Sequence, residues 1–151
     1  MSIILKENYW LCPVCRKSLR ANGNSCLCEN RHCFDIAKSG YVNLILSNKS
    51  LHGDDKEMIT ARRTFLNSGH YKILCDALCD SVKSVSEMRT VILDAGCGEC
   101  YYTSEISKSC PEAAVLGIDL SKDALKAGGK RNAGLLLAAA SVYDIPLADE
   151  S

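Results

Sequence analysis

No stretch of this sequence approaches the roughly 18 consecutive apolar residues that a membrane-spanning helix needs. The opening MSIILKENYW has only a short apolar patch, broken by Lys6 and Glu7. It lacks both the core of a secretory signal and a small-residue cleavage site, so the expected compartment is the cytoplasm and no membrane partner is expected. Internal repeats and low-complexity segments are absent. So is a net charge: 18 basic side chains balance 18 acidic ones. Without an export signal, ten cysteines are not read as a disulfide framework, because thiols stay reduced in the cytoplasm. The clustered ones therefore point to metal ligation. Cys75, Cys79 and Cys110, scattered among apolar residues, read as small buried hydrophobes.

What is present suits one ordinary core or two small ones: 151 residues, 47% hydrophobic and 24% charged. The charge balance hides an asymmetry. Residues 1–50 hold seven Lys/Arg against three Asp/Glu, a formal +4, and the remainder carries the compensating −4. A polyanionic partner would meet the first part. Three zones follow one another. Residues 1–50 read as short strands and turns, with Asn22-Gly23 a strong turn signal. Residues 51–90 read as two connecting helices. The first opens at Asp54, with Glu57 in capping-box spacing, and places Met58, Ala61, Phe65 and Leu66 on one face. The second sets Ile73, Leu74, Ala77, Leu78, Val82 and Val85 at helical spacing. Residues 91–151 alternate strand and helix. Their strands, Val91–Leu93, Ala114–Ile118 and Leu135–Ala138, are continuous apolar runs, as in a parallel sheet buried on both faces. The predicted class is α/β: a small zinc-ribbon-like module, then the first half of a Rossmann-like domain.

Cys12-Pro13-Val14-Cys15 is followed by Cys28 and His32, a C-x2-C-x12-C-x3-H spacing. Two residues between thiols let both sulfurs of a tight turn reach one tetrahedral ion, and Cys28 with His32 closes the shell. Four closed ligands mean a structural Zn2+ with no open position for water or substrate. Cys33 adjoins His32 and Cys26 precedes Cys28 by two, so an all-thiolate set ending in Cys33 is the competing arrangement. So small a zone needs such a staple.

The segment Asp94-Ala95-Gly96-Cys97-Gly98-Glu99-Cys100 leads from a buried strand into a helix, where free N–H groups and glycines allow a ligand close. A dinucleotide fingerprint would need glycine where Tyr101 stands. Asp94 at the strand end also disfavours an anionic pyrophosphate. It suits a ligand with cationic groups, and S-adenosylmethionine has an ammonium and a sulfonium. Asp119, ending the second strand, can accept hydrogen bonds from both hydroxyls of a ribose. The third strand leads into Ala140–Asp144, where an adenine would lie.

Taken together, these residues resemble the RlmA family, bacterial methyltransferases acting on guanine N1 of large-subunit (23S) ribosomal RNA. The resemblance runs through the Cys-Pro-x-Cys knuckle, Cys28 to His32, and Phe34-Asp35-Ile36-Ala37-Lys38-x-Gly40-Tyr41-Val42-Asn43-Leu44. It continues in Ala61-Arg62-Arg63-x-Phe65-Leu66-x-x-Gly69-His70-Tyr71 and Asp94-x-Gly96-Cys97-Gly98-Glu99-x-Tyr101-Tyr102. It implies zinc on Cys12, Cys15, Cys28 and His32. It also implies that Gly98 and Glu99 touch the S-adenosylmethionine, with Tyr71 reaching it from the connecting helices. Cys100 departs from the family's usual glycine, which would hold the loop back from the cofactor. Ser151 falls just after the third strand, so the resemblance places the wall facing the target base, and the catalytic groups, beyond it. The rival reading is a non-enzymatic zinc-ribbon nucleic-acid-binding fragment, and a homodimer is compatible with either.

Overall fold

The computed structural model describes residues 9–46, 54–87, 89–132 and 134–148. Lys6, Glu7 and Lys49, which enter the charge asymmetry, lie outside them, as does Ser151. Three short strands, β1 (Arg20–Asn22), β2 (Ser25–Leu27) and β3 (Cys33–Asp35), form an antiparallel sheet in the order β1-β2-β3. Asn22 pairs with Ser25 across a two-residue loop in which Gly23 takes φ 62°, the left-handed conformation such hairpins require. The next strand, β4 (Tyr41–Asn43), keeps a single antiparallel bridge, Val42 to Ile36, to the segment after β3 and otherwise joins the second sheet. It runs parallel to β7 (Leu136–Ala139), with Val42 opposite Ala138.

Helices α1 (Lys56–Asn67) and α2 (Lys72–Val85) are followed by β5 (Val91–Ala95), α3 (Tyr101–Ser109), β6 (Ala114–Asp119) and α4 (Lys122–Arg131), and then by β7. The second sheet is wholly parallel, in the order β4-β7-β6-β5. Its inner strands β6 and β7 are buried almost throughout, as their unbroken apolar runs require. β5 is only half-buried because, among the described residues, it pairs on one side alone. Among the described residues, no helix is long and apolar enough to cross a membrane.

The two sheets share one core. Trp10, Leu19, Cys26 and Phe34 of the small sheet cluster with Val42, Leu44, Leu116, Ile118, Leu136 and Ala138. At about 1.5–3 kcal/mol for each large apolar side chain removed from water, this cluster fastens the first zone to the third. Polar ties add to it. Leu11 N–H donates to the Pro146 carbonyl at 2.8 Å, and the Arg16 guanidinium donates to the carbonyls of Ile145 and Leu147 at 2.9 Å each.

The connecting helices differ from expectation in cap and in face. Asp55, not Asp54, caps α1: its carboxylate accepts from Met58 N–H at 2.9 Å. Asp54 instead pairs with Arg62 at 2.8 Å. Ile59 and Leu66 form the buried side of α1, while Met58, Ala61 and Phe65 are exposed. On α2, Cys75 and Cys79 are buried four residues apart, Val82 packs beside them, and Ile73 (84%) and Val85 (78%) face solvent. Spacing alone cannot rank two apolar faces of one helix. Here α2 packs against α3, where small thiols let the backbones approach, so the bulkier face is the one left outside. Cys75, Cys79 and Cys110 are buried, as small hydrophobes would be.

Candidate functional site

Two tight turns build the metal centre. Cys12 N–H donates to the Lys17 carbonyl and Arg16 N–H to the Cys12 carbonyl, each at 2.8 Å, with Arg16 left-handed at φ 58°. Across from it, Arg31 takes φ 63° and its N–H donates to the Cys28 carbonyl. Donor atoms of Cys12, Cys15, Cys28 and His32 all lie within 4.8 Å of one another. Cys15 Sγ is 3.7 Å from Cys28 Sγ, and His32 Nδ1 is 3.5 Å and 3.4 Å from the sulfurs of Cys12 and Cys28. A tetrahedral zinc with ordinary bond lengths has S···S edges of about 3.8 Å and S···N edges of about 3.5 Å. The constellation thus has the dimensions of a zinc shell. The backbone N–H of Lys17, followed by His32 and the neighbouring thiols, lowers the Cys15 thiol to about 6, favouring the thiolate that binds metal. Cys33 is exposed on β3 and Cys26 is buried, its thiol raised to about 11 by burial and by Cys33. Neither belongs to the group of four.

The glycine loop sits at the carboxyl ends of the parallel strands, where ligands bind in open α/β sheets. N–H groups of Gly96 and Cys97 donate to the Ile118 carbonyl at 2.8 and 3.0 Å, pinning the loop to β6. Gly96 at φ 94° and Gly98 at φ 53° need the freedom of glycine. Asp119 accepts from Gly98 N–H at 2.9 Å through one oxygen and from Ser121 N–H at 2.7 Å through the other. Each oxygen keeps a further lone pair for a ligand hydroxyl. Asp94 accepts from the buried Thr103 hydroxyl at 2.6 Å, which fixes its orientation at the end of β5.

A cleft of about 300 Å3 opens over this loop, lined by Arg62, Phe65, Leu66, Gly96, Cys97, Gly98, Glu99, Tyr101 and Tyr102. Tyr71, at the start of α2, stands edge-on to Phe65 with ring centroids 5.5 Å apart, so it adjoins the cleft through that ring. A second cavity, of about 230 Å3, lies where adenine was expected. Leu120, Ala140, Ser141 and Asp144 form one side, and Leu44–Leu46 with Pro13 of the metal knuckle form the other.

Two residues of the loop have surroundings that the sequence did not indicate. Glu99 is sealed, with its side chain only 2% exposed. Its carboxylate pairs with Arg63 of α1 through one oxygen and with Arg131 of α4, at 3.0 Å, through the other. Arg131 also lies over the Tyr101 ring, 5.5 Å from its centroid. Cys100 is left-handed at φ 63°, a conformation that a glycine would adopt freely. Its side chain is fully buried and turns away from the cleft toward Gly128, where a Cβ would overlap the Cys100 sulfur. The cysteine therefore fills space beneath the loop and does not hold a ligand off it. Arg62, Arg63, Phe65 and Arg131 were not singled out as site residues from sequence. The available signal was the Arg62-Arg63 pair beside Phe65, placed opposite the loop only by the fold.

These features define a class, a zinc ribbon joined to a Rossmann-like methyltransferase domain. Residues 10–50 match the family described as RlmA, N-terminal, a zinc ribbon, and residues 92–151 match the methyltransferase-domain family. The chain is 32% identical over 144 residues to the 23S rRNA (guanine(748)-N(1))-methyltransferase of Streptomyces fradiae, covering 93% of this chain and 51% of that protein. It is 36% identical over 151 residues to YxjB of Bacillus subtilis (strain 168), whose name assigns it provisionally to 23S rRNA guanine-N1 methylation. There the match covers 91% of this chain and 51% of the relative. The chain thus spans about half the length of the curated relatives it matches. Among solved structures it is similar to the plantazolicin methyltransferase BpumL in complex with a triazolic desmethylPZN analog and SAH. That likeness has a TM-score of 0.48 and 22% identity, over 64% of this chain and 38% of the other.

Proposed function

We propose that the protein serves S-adenosylmethionine-dependent methylation of guanine N1 in large-subunit ribosomal RNA, contributing the zinc ribbon and part of the donor site. One observation carries the reading: an RlmA-type ribbon is packed, through a shared core, onto a parallel sheet whose glycine loop and two strand-end acids line one edge. The donor supplies an electrophilic methyl group when bound. Asp119 would hold its ribose hydroxyls, and Asp94 would favour its cationic amino-acid end. Gly96 and Gly98 leave room for close approach, since among the described residues nothing but Arg62 Nη1, at 3.6 Å, stands near a Cβ at either position. Tyr71 would close the cleft from α2 through Phe65. Glu99 can contribute only through its backbone, because its carboxylate is spent on two arginines.

Cys12, Cys15, Cys28 and His32 would hold one structural zinc. Exposed Lys17, Arg20, Arg31 and Lys38 of the ribbon would meet RNA phosphates, whereas Arg16 is engaged with the loop after β7. The group receiving the guanine N1 proton belongs, by the family resemblance, to the further length that the relatives have. The methyltransferase domain disfavours the non-enzymatic binder. The reading places the protein in the cytoplasm with RNA rather than a membrane as partner, and allows a homodimer, which sedimentation velocity would detect. The test is transfer of a tritiated methyl group to deproteinised 23S RNA by the complete gene product, with nucleoside analysis. Label in 1-methylguanosine supports the reading; label confined to small molecules or to another base would overturn it.

A further inference from the structure

Asp94 and Asp119 stand at the strand ends and suit the amino and ribose groups of a donor, but neither lines the cleft over the glycine loop. An S-adenosyl amino acid also carries an α-carboxylate, which in a partly desolvated cleft needs a cation or several N–H donors. Among the described residues lining the cleft, Arg62 is the only cation. It faces the loop directly: its Nη1 stands 3.6 Å from where a Gly98 Cβ would be. The other arginines close by are committed. Arg63 and Arg131 neutralise Glu99, so the sealed carboxylate does not repel an anion entering beside it.

Arg62 is half-exposed, and its one ion pair among the described residues, with Asp54 at 2.8 Å, occupies only part of a five-donor fork. Asp54 is itself tied to the other acid of the site. Its backbone carbonyl accepts from the Ser121 hydroxyl at 2.9 Å, and Ser121 N–H donates to Asp119. The guanidinium is thereby held from the same network that orients the ribose acid. We infer that Arg62 binds the α-carboxylate of the methyl donor, with Asp54 as its positioning residue. This rests on the reading that the cleft holds the donor, and goes beyond it by naming which end of the ligand lies against α1.

Two nucleosides separate the parts. S-adenosylhomocysteine carries the amino-acid end, whereas 5′-methylthioadenosine shares the adenosine and sulfur but has no carboxylate. Calorimetric titration of the wild-type protein and of Arg62→Met with each ligand tests the assignment. Loss of a charge-assisted contact should weaken S-adenosylhomocysteine about ten- to a hundredfold, leaving methylthioadenosine within about twofold. Arg62→Lys should fall between, since it keeps the charge and loses the fork. Methylthioadenosine binding also reports that the variant is folded. Equal weakening of both ligands would reduce Arg62 to a structural role and overturn the inference. So would unchanged affinity for both, including a variant that loses only RNA binding. Failure of the wild type to bind either nucleoside would instead remove the donor cleft itself.

Discussion

The ribbon and the parallel sheet are built on opposite principles. In β1, β2 and β3, nine residues include two buried ones, Cys26 and Phe34, whereas β6 and β7 bury eight of ten. A sheet as bare as the first cannot offset its own chain entropy by burial. It has two substitutes, a four-ligand metal shell and a borrowed core. Trp10, Leu19, Cys26 and Phe34 share one buried cluster with Leu116, Ile118, Leu136 and Ala138 of the neighbour. The comparison teaches that zinc here organises a surface of the methyltransferase sheet as well as a separate finger. It places Pro13 beside the cavity at the ends of β6 and β7, and Arg16 on the loop that follows.

The largest way to break this arrangement is to remove the metal. Apparent zinc binding free energies in such shells run about 10–16 kcal/mol. Chelation should therefore unfold the ribbon and, through the shared core, strip protection from β4 and β7. Hydrogen exchange would show amides near Val42 and Ala138 accelerating with those near Cys12. Metal analysis of two variants sharpens the ligand set: His32→Ala should lose zinc and Cys33→Ser should retain it.

Next in size is Glu99→Ala. It removes a buried carboxylate that ties α1 and α4 to the loop, and leaves Arg63 and Arg131 without their partner. A cost of about 3 kcal/mol is expected by urea denaturation, at the low end for a broken buried pair because both arginines reach solvent. Smaller again is Gly128→Ala, whose added methyl group meets the Cys100 sulfur; about 1–3 kcal/mol should be lost. Cys100→Gly in the same protein should restore most of it, by freeing that space and relieving the left-handed backbone, and a double-mutant cycle measures the coupling. Smallest is Ile73→Ser on the open face of α2, expected to stay within about 0.5 kcal/mol of wild type.

Legibility from sequence divided along the same line. The ribbon's spacing and the three apolar runs were readable because each is a local pattern with one physical meaning. Cys12, Cys15, Cys28 and His32 come together where the spacing put them, and β5, β6 and β7 fall within a residue or two of their runs. What escaped was non-local. Tyr41-Val42-Asn43 is too short to carry a period, and its partner Leu137–Ala139 lies about a hundred residues away, so nothing local marks it as a strand of the larger sheet. The pairing of Glu99 with Arg63 and Arg131, the turn of Cys100 toward Gly128, and the choice of buried face on α1 and α2 depend on which helix lies over which strand. Asp55 rather than Asp54 is the cap because the helix begins at Lys56, and the Asp54 carboxylate is paired with Arg62.

The ribbon helps to shape the proposed donor site instead of sitting beside it. Calorimetry of S-adenosylhomocysteine against zinc-loaded protein, and against the same protein after chelation verified by metal analysis, tests it most directly. The account predicts that affinity falls at least tenfold, about 1.4 kcal/mol, as the Pro13 and Leu44–Leu46 wall and the Arg16 tie are lost, and that it returns when zinc is restored. Equal affinity with and without zinc would contradict it.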